Sequence, residues 1–380
     1  MNYLREHIAF LTTPGKYGGI DLMRASAVLL VMLFHFQMPG FRFGWIGVDV
    51  FFVVSGFLIG GMIRDQILDG QFSFRQFYWS RALRILPVYY LFIFLCWVFK
   101  ANGQSDWSSI LMTMTFLQTT GPYFFGWSID FGVIPGGTWT LVIEEYFYLC
   151  APLVLFALYR FFSERIVTLC LCLVFLSGIA VRLWATAEFN PNDPNWHFAS
   201  FIQFHSRYDE LTAGVIAAIA VRNIRLPLTI GLVLSAIGVV WIVGHLIANG
   251  YWFEPQSMTR ETIWYPTVLG MVFGLLAVTV ANVRVTDLTT IFIARLSYPL
   301  YLGHIFAAEI STHYRTSIDV NVFGHMHLFN ALFMLGCVAF AYLLSLLVEY
   351  PFIRVYRARR LRHPERRPEA VGDTATRHRT

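Results

Sequence analysis

Charge is scarce in this chain. Asp, Glu, Lys and Arg make up 13% of its 380 residues, whereas 57% are hydrophobic and 17% aromatic, and the mean hydropathy is +0.57. A soluble domain carries about a quarter of its residues charged, so this composition excludes a soluble globular class and indicates an integral membrane protein. Lysine is nearly absent: of the 28 basic residues only Lys16 and Lys100 are lysines. Cysteine is sparse as well. Cys96, Cys150, Cys170, Cys172 and Cys337 fall inside apolar segments without metal-ligand spacing, so they read as packing residues and no metal site is expected. The N-terminus lacks the short apolar core and small-residue cleavage site of a removed signal peptide, so the first span is expected to stay in the mature chain. No soluble catalytic domain, internal repeat or low-complexity linker interrupts the apolar pattern, and no nucleic-acid partner is expected.

Against that background, one apolar stretch from Asp21 to His35 carries two ionisable residues, Arg24 and His35. They are eleven residues apart; at about 100° and about 1.5 Å per residue they point the same way, roughly 16 Å apart along the axis. A charge at membrane depth costs a few kcal/mol and usually faces a protein interior or wet cavity. One helix face thus offers a cation near one surface and a base toward the other. Snorkelling of Arg24 and a plain interhelical hydrogen bond from His35 would account for both without chemistry, and this stretch alone leaves the two readings open.

Apolar runs place ten spans, at 20–37, 45–63, 85–99, 140–159, 166–186, 210–221, 226–248, 263–281, 291–311 and 328–348. The sixth is short. The segment 107–117 is too short and too polar to cross and reads as an interfacial or re-entrant helix. With the N-terminus inside, cytoplasmic connections collect most of the arginines, nine of them from Arg354 onward, while the outer loops hold only Arg42, Lys100, Arg207, Arg260 and Arg315. The expected fold is an all-α polytopic membrane bundle of about ten helices with both termini cytoplasmic. It comprises a membrane domain over 1–356 and a basic, disordered tail over 357–380 that can meet anionic lipid.

Several motifs carry chemistry. The second span opens Gly44-Trp45-Ile46-Gly47-Val48-Asp49; its glycines suit close packing, and Asp49 is an acid at the outer end of a span. Arg81 and Arg84, three apart, present two guanidinium forks on one helix face, which suit a polyanion such as a phosphate-bearing cofactor; ordinary membrane anchoring is the plainer reading of such a pair. Glu144 lies about a turn below the outer interface, a depth that His35 reaches from the other side. A carboxylate beside an imidazole would fix its tautomer for general-base work. Glu145 is expected to cap the helix or face water.

Taken together and in order, five features resemble the acyltransferase-3 family of membrane O-acyltransferases. They are the Arg24 to His35 pair; Gly47-Val48-Asp49 to Ser55-Gly56-Phe57; Arg81-Ala82-Leu83-Arg84; Trp139-Thr140-Leu141 to Glu144 with Phe147-Tyr148; and Ser297-Tyr298-Pro299-Leu300-Tyr301-Leu302-Gly303-His304. The likeness covers roughly 19–351. It implies a bacterial inner-membrane enzyme that passes an acyl group, usually acetyl, from cytoplasmic acetyl-CoA or another acyl-CoA to a hydroxyl of a carbohydrate or glycoconjugate. By carry-over, His35 is the catalytic base with Glu144 in the active site, and Arg24, Arg81 and Arg84 handle the donor. Asp49, Ser55, Trp139, Tyr148, Arg207 and His304 bind substrate or organise the site, and Glu349 falls in a late motif. The fused extracytoplasmic hydrolase-like domain of longer members is expected to be missing. A covalent acyl-imidazole at His35 stays open beside direct transfer. A transporter or flippase, moving a lipid-linked sugar or an anionic solute along an Arg- and His-lined path, is the alternative class; the lack of matching broken helices in two halves argues weakly against it.

Overall fold

The computed structural model describes residues 2–100, 107–128, 136–187, 189, 194–249, 260–317 and 326–362. In chain order its helices are α1 (Asn2–Thr12), α2 (Gly18–His35), α3 (Gly47–Leu68), α4 (Phe74–Lys100), α5 (Trp107–Met114), α6 (Thr120–Phe125), α7 (Trp139–Phe161) and α8 (Glu164–Ala185). There follow α9 (Pro194–Ser200), α10 (Tyr208–Asn223), α11 (Leu228–Ala248), α12 (Glu261–Val280), α13 (Leu288–Ser317), α14 (Met326–Leu344) and α15 (Tyr350–Arg362). A π-helical turn, Ser345–Glu349, joins the last two. No strand occurs among the described residues.

Nine of these stretches are long and apolar enough to cross a membrane. Of the ten predicted spans, the one without such a stretch among the described residues is the sixth, α10; its 16 residues cover only about 24 Å. Its surroundings explain why so short a helix suffices. It is buried between α3, α8 and α12, and so has no lipid thickness to match. Against α3 the backbones touch: a Cβ on Gly56 would collide with the Leu211 carbonyl, and one on Gly214 with the Val53 carbonyl. At the periphery α11 shows the opposite pattern. Only Gly231, Ser235, Ile242 and Leu246 are buried, forming one stripe against α12, while Val233, Ile237 and Val240 are 57%, 59% and 71% exposed. Such all-round apolarity belongs to a helix facing lipid.

Three boundaries differ from the sequence reading. The third span begins at Phe74 rather than near residue 85, because the apolar run starts only after Arg81 and Arg84, although both belong to the same helix. The tail boundary at 356 falls inside α15, and residues 363–380 lie outside the described residues. The segment 107–117 contains only the eight-residue α5, which packs back on α4.

Candidate active site

Helices α2, α3, α4, α7 and α13 enclose a cavity of about 320 Å³. On α3 the lining runs from Val48 to Met62, about 21 Å at 1.5 Å per residue, so the space is long and narrow. Its two ends differ chemically. Arg24, Arg81, Arg84 and Arg295, from the first halves of α2, α4 and α13, reach in at the end where Lys16 is exposed. At the other end Phe51, Thr140, Leu141 and Tyr301 close it, the first three coming from the opening turns of the oppositely running α3 and α7.

The lining carries five cations, Lys16 and the four arginines, against three carboxylates, Asp21, Glu144 and Glu145. Two of the three carboxylates, Asp21 and Glu144, are engaged within the protein. Asp21 accepts the Gly15 N–H at 2.7 Å, and Glu144 accepts the Ser55 hydroxyl at 2.7 Å and the Tyr148 hydroxyl at 2.9 Å. The arginines are less so. Arg24 donates to Ser297 Oγ at 2.8 Å and Arg295 to the Thr13 carbonyl at 2.8 Å, whereas Arg84 reaches Glu349 only at 4.0 Å and Arg81 Nε has no partner among the described residues. A half-enclosed space with surplus guanidinium favours an anionic ligand.

His35 does not line this cavity, and the predicted pairing with Glu144 is corrected. Both Glu144 oxygens are taken by Ser55 and Tyr148, while His35 Nδ1 lies 2.9 Å from the Val31 carbonyl one turn back on its own helix. A carbonyl oxygen can only accept, so Nδ1 carries the proton and Nε2 the lone pair. The main chain thus fixes the tautomer that the carboxylate was expected to fix. His304 is held likewise: Nδ1 lies 2.6 Å from the Tyr301 carbonyl, and its buried Nε2 has no partner among the described residues. The two rings meet edge to face at 4.9 Å. His304 also packs on Tyr301 at 5.2 Å, and Tyr301 on Phe51 at 5.6 Å, so the wall closing the cavity has the histidine pair behind it. Thr140 Oγ1 donates to the Tyr301 hydroxyl oxygen at 2.9 Å. His35 itself is exposed at the end of α2.

Asp49, Trp139 and Arg207 form a separate group. Arg207, assigned from sequence to an outer loop, is fully buried immediately before α10; it donates to Asp49 Oδ1 at 2.6 Å and to Glu210 Oε2 at 2.7 Å. Its guanidinium lies over Phe201 at 4.3 Å and Trp139 at 5.7 Å. Burial pulls the Arg207 pKa down, but the Glu210 and Asp49 carboxylates outweigh it and raise it, so the group stays charged. Beside it Arg182 forks onto Asp209, with Thr267 bonded to both. That second buried pair was missed, since Arg182 lies inside an apolar run and draws no notice from loop counting. Arg295 is the other omission, while Ser297 and Tyr301 stand in the sequence reading only inside the Ser297-to-His304 motif, without a role of their own. Arg295 was counted only as a membrane anchor, although it stands two residues before the Ser297-Tyr298 motif that faces the same cavity.

A family model described as an acyltransferase domain matches residues 17–349. The peptidoglycan O-acetyltransferase OatA of Listeria monocytogenes is 24% identical over 365 residues, covering 89% of this chain and 57% of the relative. The O-acetyltransferase OatA of Staphylococcus aureus is 27% identical over 194 residues, covering 48% of this chain and 31% of the relative. These alignments span between about a third and just over half of the relatives' own length. No solved structure matches.

Proposed function

The chain belongs to the acyltransferase-3 family, and on that premise we propose that it is a bacterial inner-membrane O-acetyltransferase. It takes the acyl group from cytoplasmic acyl-CoA and passes it to a hydroxyl of a carbohydrate or glycoconjugate. The observation that carries this reading is the cavity, with four arginines at one end and, behind its other end, two histidines whose Nε2 atoms bear lone pairs. Arg24, Arg81, Arg84 and Arg295 hold the phosphates of the donor at the cytoplasmic mouth. The narrow space takes its thioester arm, and Glu144, Ser55 and Tyr148 meet the polar amides along that arm.

The acceptor hydroxyl arrives on the outer side, where His35 is exposed, and meets the thioester at the Phe51–Tyr301 wall. Its oxygen attacks the thioester carbonyl, its proton passes to His35 Nε2, and the carbon–sulfur bond breaks to release CoA. The wall keeps outer water from the thioester until an acceptor is present. The arginine asymmetry supports a cytoplasmic location for both termini. The peptidoglycan named for the Listeria relative is one member of the proposed acceptor class. No observation favours the transporter alternative.

The test is donor binding to purified protein in detergent. Wild type should bind CoA, and Arg84→Glu should weaken it about tenfold or more, since a charge-assisted contact is worth about 1.5–3 kcal/mol and each decade is about 1.4 kcal/mol. Absence of CoA binding at millimolar ligand, together with movement of a sugar-lipid or solute across vesicles, would replace the enzyme by a transporter.

A further inference from the structure

Beyond the closed end of the cavity lies a second, apolar slot lined by Phe92, Gly137, Thr138, Leu141, Leu302 and Ile305, with Tyr301 at its edge. It is too tight for a water molecule. Leu141 and Tyr301 line both spaces, so these two side chains are the partition between them. The partition is held in place. Tyr301 is pinned through its hydroxyl by Thr140 at 2.9 Å, and Leu141, 5% exposed, is packed in the apolar cluster of Val88, Phe92 and Leu302. The slot owes its existence to Gly137, where a Cβ would collide with the Ile305 side chain.

We propose that Leu141, backed by Tyr301, sets the acyl-chain length this protein accepts, confining the donor to acetyl because its side chain and the tight apolar slot behind it leave no room for a longer chain. The inference rests on the acyl-CoA reading above. With the donor's phosphates on the arginines, the acyl group is the part of the thread that arrives at Phe51, Leu141 and Tyr301. The thioester carbonyl then lies toward Tyr301 and the histidines behind it, and the alkyl end points at Leu141. An acetyl methyl stops at that side chain. The extra methylenes of a butyryl group would run into Leu141 and the packed apolar side chains behind it, so truncating Leu141 is what makes room for them. Phe92, Leu141, Leu302 and Ile305 make the slot largely hydrocarbon, with Thr138 the one polar side chain beside Tyr301, so the site suits an unbranched alkyl tail better than a polar acyl group.

The experiment is displacement of labelled CoA from the purified full-length protein by CoA, acetyl-CoA, butyryl-CoA and hexanoyl-CoA. Wild type should prefer acetyl-CoA to butyryl-CoA. Leu141→Ala should abolish or invert that preference, with butyryl-CoA gaining about tenfold from burial of its methylenes, while free CoA binds as in wild type. Leu141→Val, a smaller truncation that spares the packing, should move the ratio part of the way, and Leu141→Ala combined with Ile305→Ala should extend the gain to hexanoyl-CoA. An unchanged acetyl-to-butyryl ratio in Leu141→Ala, in a protein that still binds CoA, would overturn the inference and leave the acyl-CoA reading standing. So would a wild type that binds hexanoyl-CoA as tightly as acetyl-CoA. Failure of wild type to bind any CoA species would overturn the donor reading, and the inference with it.

Discussion

Replacing Arg207 by Met should be among the most damaging single changes in this protein. Arg207 is fully buried and supplies one guanidinium to two carboxylates, Asp49 at 2.6 Å and Glu210 at 2.7 Å, with the face of Phe201 beneath it at 4.3 Å. Removing one partner of a buried ion pair costs about 3–5 kcal/mol, because an uncompensated charge is left in a low-dielectric interior. Here two carboxylates would lose their cation, which places the effect toward the upper part of that range. At about 1.4 kcal/mol per decade this lowers the folded-to-unfolded ratio by about two to three and a half orders of magnitude. The structure also ranks the partners. Asp49→Asn leaves Arg207 paired with Glu210 and keeps an acceptor for the Tyr265 hydroxyl, so it should cost less than Arg207→Met. Arg207→Lys should fall between them, since a point charge cannot reproduce a fork to two carboxylates. Unfolding by SDS titration in detergent, followed by helical circular dichroism, measures all three. A fully folded Arg207→Met protein of wild-type stability, or an Asp49→Asn protein less stable than it, would refute the reasoning.

In the same assay Gly56→Ala should lose about 1–3 kcal/mol, because its methyl collides with the Leu211 carbonyl, whereas Gly244→Ala, which meets nothing within 4 Å, should stay near wild type. His35→Ala should abolish O-acetyl incorporation into the cell envelope, read as acetate released by mild alkali, yet leave CoA affinity unchanged; residual product from a well-folded variant would remove the base assignment. Glu144→Ala leaves the Ser55 and Tyr148 hydroxyls without their acceptor and should destabilise by about 1–3 kcal/mol, while Glu144→Gln, which keeps an acceptor oxygen, should cost less. A reporter fused after Arg360 should report cytoplasm and one placed within 188–196 the outside; an external C-terminus would overturn the proposed orientation.

Membrane class, the positions of the long helices and the family were legible in the linear chain, because apolar run length and the order of short motifs are one-dimensional properties that survive without knowledge of contacts. The shared direction of Arg24 and His35 was legible too, since helical periodicity fixes it. What periodicity does not carry is which helices touch. Burial of α10 on all sides, and with it a sufficient length of 16 residues, depends on glycines of two different helices meeting. Arg207 and Arg182 lie far from their carboxylates Asp49 and Asp209 in sequence, 158 and 27 residues away, so no local window could separate them from membrane anchors. Equal depth suggested that Glu144 meets His35, but depth is one coordinate of three. The packing of α3, α7 and α13 turned Glu144 into the cavity and left His35 behind the Tyr301 wall, with its own main chain as the partner that fixes its proton.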